Sequence, residues 1–469
     1  MTREGVRARA VSLFLLVFLA HAYFASGLGW NQSARVAAIL TFVEPGPDRF
    51  TLRIDDFTRN DDRNLYSEDW AKGVGGHYYA NKAPGVSLIG VPAYAMLYAL
   101  ERLVGAEPRS QPMTRFNSIA LNLWCSVAWT AAASVVLYLF LAAGGLAHAD
   151  ALLGALAYAF GTLVFPYDTS LWGHSTAAAC LLAALCLAHW PGGTRSPLLA
   201  GALGGLAVLV EYPALFGLAA AGCALLSPRC SWRQRFEFAA GAAAPLLLLA
   251  IYQKIAFGGF LTTAVSQGNP IFRDQVRVFG VLGKIDPGAL WGLLFSSYRG
   301  LFLFCPVLLF ACLGSWQRWW ERRRGLVAAC LAAFTISVLF VASFNAWSGG
   351  SASGARYLIV AIPLLSILAP GTSGLAPWAR RLYYGTLAFS AFNMLVITAV
   401  EVMVDDAEQN PLYGLAYREL LSGAYPHNAD TINVGLLLQL APRFDLLLFL
   451  LVFGGWTFAL LRPHRTRTS

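Results

Sequence analysis

Residues 30–85, WNQSARVAAILTFVEPGPDRFTLRIDDFTRNDDRNLYSEDWAKGVGGHYYANKAPG, form the one long polar passage in an otherwise apolar chain. The passage holds eight of the chain's 25 acidic residues, Glu44, Asp48, Asp55, Asp56, Asp61, Asp62, Glu68 and Asp69, together with seven basic ones. A plain connection between two membrane helices does not need that charge density. The adjacent carboxylates Asp55 and Asp56 offer general-base chemistry, and Lys82, in Asn81-Lys82-Ala83-Pro84-Gly85, offers a cation for an anion. A solvated linker with surface charges is the plainer alternative for the same residues.

Outward from this passage the composition settles the class. Hydrophobic residues make up 57% of the 469 positions and charged ones 13%, with a mean hydropathy of +0.56. Apolar runs long enough to span a bilayer recur along the chain. In hydrocarbon a helix satisfies its backbone hydrogen bonds within one segment, and the ten-residue alternation of a membrane barrel is missing. The expected fold is an all-α polytopic membrane protein of about 12 transmembrane helices, with interfacial helices in the first outer loop. Residues 1–469 read as a single membrane domain, 30–85 as its outer active-site loop and 462–469 as a short basic cytoplasmic tail. The eight cysteines lie in or beside apolar runs without a CxxC pair, which points to small core residues rather than metal ligands. The net charge of +9 comes from arginine clusters at helix ends, so it reports orientation in the bilayer and gives no sign of nucleic-acid binding.

Thirteen apolar runs can be drawn, beginning with Val11–Leu28 as an uncleaved anchor. The positive-inside rule places the N-terminus, the segment 227–235, Arg318 with Arg322 to Arg324, Arg380 with Arg381 and the tail in the cytoplasm, which thirteen crossings cannot satisfy. The extra run lies before residue 229. The preferred non-crossing segment is 86–105, interrupted by Pro92 and carrying Glu101 and Arg102; the rival is one long broken helix over 197–227, interrupted at Glu211-Tyr212-Pro213. Either choice leaves 30–85, 258–299, 346–354 and 403–444 outside, and the preferred one also exposes 165–175 and Glu211 there.

Within this frame Gly76-His77-Tyr78-Tyr79-Ala80-Asn81-Lys82-Ala83-Pro84-Gly85, following a first helix and a charged loop, resembles the Gly-x-Tyr-Tyr-x-x-Lys-x-Pro-Gly motif of the C-type integral-membrane glycosyltransferases. That superfamily includes aminoarabinose transferases and protein O-mannosyltransferases. Ser297-Tyr298-Arg299-Gly300-Leu301-Phe302 and Trp347-Ser348-Gly349-Gly350, followed by Gly354-Ala355-Arg356-Tyr357-Leu358, look like motifs of its bacterial and archaeal members. The resemblance implies transfer of a sugar from a polyprenyl-phosphate donor to a lipid, glycan or protein acceptor on the outer face of a bacterial or archaeal plasma membrane, with an acidic residue of the first outer loop as base. The donor's lipid tail needs an apolar groove, and its phosphate needs cations at headgroup depth, a role open to Lys82, Arg299 and Arg356.

One departure stands out. Relatives place an Asp-Glu pair directly after the first helix, where this chain has Asn31-Gln32-Ser33-Ala34-Arg35. Arg35 matches the family's arginine, but the base must come from elsewhere, and Asp55 or Asp56 is the nearest candidate. Arg35, His77, Tyr78, Tyr79, His174 and Trp347 are candidate sugar or acceptor contacts. Asp168 and His174 could equally cap the next helix, His21 reads as a packed hydrogen-bonded residue, and Trp347 suits the interfacial aromatic belt. Glu211, costly in lipid, should face a cavity or a basic partner. No cofactor and no metal are expected. A transporter or flippase, which should show repeated halves with broken helices, and a polymerase or ligase of lipid-linked glycans are the competing classes.

Overall fold

The computed structural model describes residues 3–58, 63–228, 230–272, 283–321, 323–427 and 431–462. Arg322 and the basic tail beyond Arg462, both used above to orient the chain, lie outside the described residues. The fold is all-α, apart from two small two-stranded sheets among the described residues. Among the described residues seven helices are long and apolar enough to cross a bilayer: Glu4–Ala22, Gly85–Leu103, Gln111–Ala143, Trp232–Phe257, Arg324–Ala342, Pro377–Val400 and Phe444–Leu461. Four shorter apolar helices, His174–Ala188, Pro197–Val210, Tyr212–Leu226 and Arg356–Ser366, pack among them. The chain is a multi-pass membrane protein.

The first helix, α1 (Arg3–Ala22), ends before the apolar run does. Phe24–Ala25 instead forms strand β1, paired antiparallel with Ile432–Asn433 near the other end of the chain. The expected polar loop then begins with a helix, α2 (Trp30–Val43), whose Asn31, Gln32, Ser33 and Arg35 are buried along with its alanines. Polar residues at its N-terminus serve interior contacts rather than water.

Pro92 does not interrupt the next element, since α3 (Gly85–Leu103) is one helix of 19 residues. It runs parallel to α2: Ser87 Oγ donates to the Arg35 carbonyl at 3.2 Å, and Tyr94 Oη to Glu44 at 2.7 Å. At the start of this pair Ser67 donates to the Trp30 carbonyl at 2.7 Å and Asp69 meets Lys82. At its far end Arg63 makes two 2.8 Å bonds to Glu44, which also accepts from Arg109 at 3.1 Å. A stretch from Arg63 to Asp69 therefore touches both ends of α2, which is about 21 Å long, while Glu44 meets α3 midway, at Tyr94.

The helix α4 (Gln111–Asn122) passes through a π-helical turn, Leu123–Val127, into α5 (Ala128–Ala143). Then come α6 (His148–Phe160), the single turn α7 (Val164–Tyr167), α8 (His174–Ala188) and α9 (Pro197–Val210). Beyond Glu211-Tyr212-Pro213, α10 (Leu215–Gly222) turns back on α9, because Leu218 Cδ1 sits 2.6 Å from where a Cβ on Gly204 would be. Residues 197–227 are thus a helical hairpin with Glu211 at its tip, not one long broken helix. α11 (Trp232–Phe257), opened by the Ser231–Gln234 capping box, packs along α9 where Gly201 and Gly241 let the backbones approach. The expected run 300–316 is divided at Pro306, which cannot donate and keeps Cys305 out of the helical region.

Candidate functional site

The motif around Lys82 folds as a β-hairpin, β2 (Trp70–Lys72) against β3 (Tyr78–Ala80), in which Trp70 faces Ala80 and Lys72 faces Tyr78. Tyr79 anchors it on α11, with its ring 5.5 Å from Phe257 and 6.2 Å from Tyr252. Register then assigns the neighbours. The turn end carries His77 and receives Asp55, whose carboxylate accepts the Tyr78 N–H at 3.2 Å and lies 3.3 Å from His77 Nδ1. Tyr78 packs its ring 4.8 Å from Trp70, and Asp56 is exposed. The open end carries Asp69 and Lys82, 3.1 Å apart. Four residue steps, across the three residues of β3, separate His77 from Asn81, about 13 Å at 3.3 Å per step, so Asp55 and Lys82 belong to different neighbourhoods.

Lys82 enters a buried cluster that no short sequence motif announces. Asp69 also accepts from Asn31 at 3.1 Å, and Asn31 in turn accepts from Arg35 Nε at 3.1 Å. The Arg35 Nη2 donates to Glu211 at 2.7 Å, and His174 Nδ1 lies 3.4 Å from the same carboxylate oxygen. Trp172 stacks on His174, with centroids 6.1 Å apart, and Arg356 lies 5.0 Å over the Trp172 ring. Three cations, Arg35, Lys82 and Arg356, thus share a neighbourhood with two carboxylates. Burial pushes the Glu211 carboxyl up from its ordinary value, against the pull of Arg35, Lys82 and Arg356.

Two glycines are required for this convergence. A Cβ on Gly173, whose φ is +85°, would stand 2.5 Å from Arg35 Nη1 and 3.0 Å from Glu211. One on Gly85 would stand 2.6 Å from the Leu209–Val210 backbone, so the start of α3, and Lys82 with it, is seated on the tip of the α9–α10 hairpin. Several buried nitrogens in the cluster have no hydrogen-bond partner: Arg35 Nη1, Trp172 Nε1, His174 Nδ1 and Arg356 Nε. Buried donors of this kind are costly unless something accepts from them. Together with the excess of positive charge they make the cluster suited to a phosphate-like anion.

The remaining expected residues lie elsewhere. Arg299, fully buried, donates to the carbonyls of Ser348 at 2.8 Å, Gly350 at 2.9 Å and Tyr298 at 3.2 Å, and to Asp406 at 3.2 Å. It fastens the 348–350 turn, and burial lowers its pKa. Trp347 covers Gly292 and packs 6.0 Å from Tyr298. The segment 165–175, expected as an exposed outer loop, is buried, and His174 is the first residue of α8. Asp168 bonds His21 at 2.8 Å and Thr130 at 3.2 Å instead of capping α8. Sequence reasoning missed Asp69, Asn31 and Trp172. Glu211 alone carried a signal, a charge inside an apolar stretch, and its basic partner is Arg35. Among the described residues no group of three His, Cys, Asp or Glu side chains gathers as a metal site.

No family model matches the chain, and no curated protein matches it. The structure is similar to a crystal structure of ArnT from Cupriavidus metallidurans in the apo state, with 16% sequence identity and a TM-score of 0.46, over 97% of this chain and 76% of that one. It is similar also to ArnT from the same organism bound to undecaprenyl phosphate, at 16% identity and a TM-score of 0.43, over 98% of this chain and 77% of the other.

Proposed function

We propose that this chain is a C-type membrane glycosyltransferase, a single membrane domain that takes a sugar from a polyprenyl-phosphate donor at the outer face of a bacterial or archaeal plasma membrane. The observation that carries the reading is the meeting of Lys82, Arg35 and Arg356 around buried, unpartnered nitrogens, within a motif that resembles that superfamily. In this proposal the cluster holds the donor phosphate, with Lys82 and Arg356 as its cations and Arg35 reaching it through Nη1. Arg299 positions the 348–350 turn beside it.

The acceptor hydroxyl gives its proton to a carboxylate while its oxygen bonds to the anomeric carbon. The bond from that carbon to the phosphate oxygen breaks, and the electron pair leaves with the polyprenyl phosphate, whose charge the cations stabilise. Attack opposite the departing phosphate inverts the anomeric centre. Asp69 is assigned as the base in place of Asp55 and Asp56, because it is the carboxylate of the polar passage that shares the Lys82 neighbourhood. Asp55 holds the turn end of the hairpin.

Lys82→Ala tests the reading directly. A charge-assisted hydrogen bond contributes about 1.5–3 kcal/mol, so its loss should weaken binding of a polyprenyl-phosphate sugar roughly ten- to hundredfold. The exposed Lys72→Ala serves as the control. Equal affinity in folded wild type and Lys82→Ala removes the phosphate from this cluster.

A further inference from the structure

On the far side of the segment 169–171 from the charged cluster lies a cavity of about 470 Å³. That volume is within the range of roughly 300–1,000 Å³ usual for small-molecule sites. Its wall is one stripe of α4, Gln111, Thr114, Arg115, Ser118 and Asn122, which recur at helical spacing. Opposite stand the chain leaving α1, from Phe24 to Leu28, and the Thr169-Ser170-Leu171 segment. Hydroxyls and amides dominate the polar lining, two arginines join them, and among the described residues no carboxylate lines it. Arg63 on its rim is held by Glu44.

Two of these polar groups are almost wholly buried and have a hydrogen-bonding atom without a partner, Thr114 Oγ1 and Asn122 Oδ1. The Asn122 amide is aimed by its Nδ2, which donates to the Asp168 carbonyl at 2.7 Å. Ser26 and Thr169 bridge the opposite wall at 2.6 Å. A lining of hydroxyls, amides and two arginines with apolar residues between them fits a molecule with many hydroxyls and an apolar ring face. A cationic ligand would find no counter-charge among the described lining residues.

We propose that this cavity binds the saccharide portion of the acceptor, an uncharged or anionic, hydroxyl-rich glycan. The assignment to an acceptor rests on the glycosyl-transfer reading above; the saccharide chemistry rests on the cavity alone. The segment from Asp168 to His174 joins the two places, since it lines the cavity with Thr169 and Ser170 and the cluster with Trp172 and His174.

The test uses the full-length protein extracted directly into styrene–maleic acid discs, so that no sugar detergent is present. Dodecyl maltoside is the probe, and dodecylphosphocholine is the competitor with the same tail and no sugar. Saturable maltoside binding that the phosphocholine does not displace is expected. Asn122→Ala, which adds no bulk, should weaken it about fivefold, the effect of one hydrogen bond, and Ser118→Trp, which fills the cavity, should remove it. Lys82→Ala should leave it unchanged while losing donor affinity, so failure of the cavity and failure of the donor reading give different results. Equal binding in folded Asn122→Ala and Ser118→Trp overturns the proposal. So does equal displacement by dodecylphosphocholine, or displacement by phosphatidylglycerol, which would assign the hydroxyl-rich ligand to a lipid headgroup.

Discussion

Asp69 and Asp55 are both carboxylates of one charged passage, fourteen positions apart. The hairpin register alone gives them different neighbours. Asp69→Asn is expected to lower sugar transfer about 10²- to 10⁴-fold, as loss of a general base does, with donor affinity within threefold of wild type. Asp55→Asn should cost stability at the turn and spare most of the rate. Equal rates for Asp69→Asn and wild type in membrane vesicles would overturn the assignment. Glu211 gives a second expectation. Its carboxyl titrates above the ordinary 4.5, so the folded state favours the neutral form. That contribution is complete below the ordinary value and is lost as pH rises through the raised one. Glu211→Gln keeps a neutral side chain throughout. The melting temperature of wild type relative to Glu211→Gln should therefore fall between pH 4 and pH 8, and a flat difference across that range would contradict it.

At the scale of elements, the apolar helices were legible because hydrophobic runs in lipid leave the backbone little choice but a helix. Their interruptions were less so. Pro92 looked like a break, yet α3 continues through it, while Pro213 accompanies a full reversal of direction. A proline removes one donor in either place; whether neighbours hold the chain straight is a matter of packing. α2 was hidden for a related reason. Its buried Asn31 and Arg35 read as loop residues, and only the partners Asp69 and Glu211, distant in sequence, show why they face inward. The seat of α3 on α9 yields a test. Gly85→Ala puts a methyl 2.6 Å from the Leu209–Val210 backbone. Such overpacking usually costs about 1–3 kcal/mol, and relief by moving α3 would carry Lys82 away from the cluster. Both the melting temperature and the donor affinity should drop, the latter at least threefold; unchanged donor affinity in the Gly85→Ala protein would show that the seat does not position Lys82.

For the whole molecule, we propose that α3 lies along the outer boundary of the membrane rather than crossing it. The exposed positions Lys72 and Glu107 flank α3 at its two ends. Single cysteines there, in a cysteine-free background, should react with an impermeant maleimide from the same face of sealed vesicles. Reaction from opposite faces would make α3 a crossing helix. The charged cluster draws Arg35 from α2, Asp69 and Lys82 from the open end of the hairpin, and Glu211 and His174 from the ends of helices packed in the bundle. With α3 at the boundary, the cluster would be a seam between two parts that respond differently to the lipid around them. Interfacial helices follow the headgroup plane, whereas a helical bundle adjusts to hydrocarbon thickness by tilt. Acyl-chain length would then be a coordinate of the site itself, opening or closing the gap between Arg35 and Glu211 without altering a single side chain.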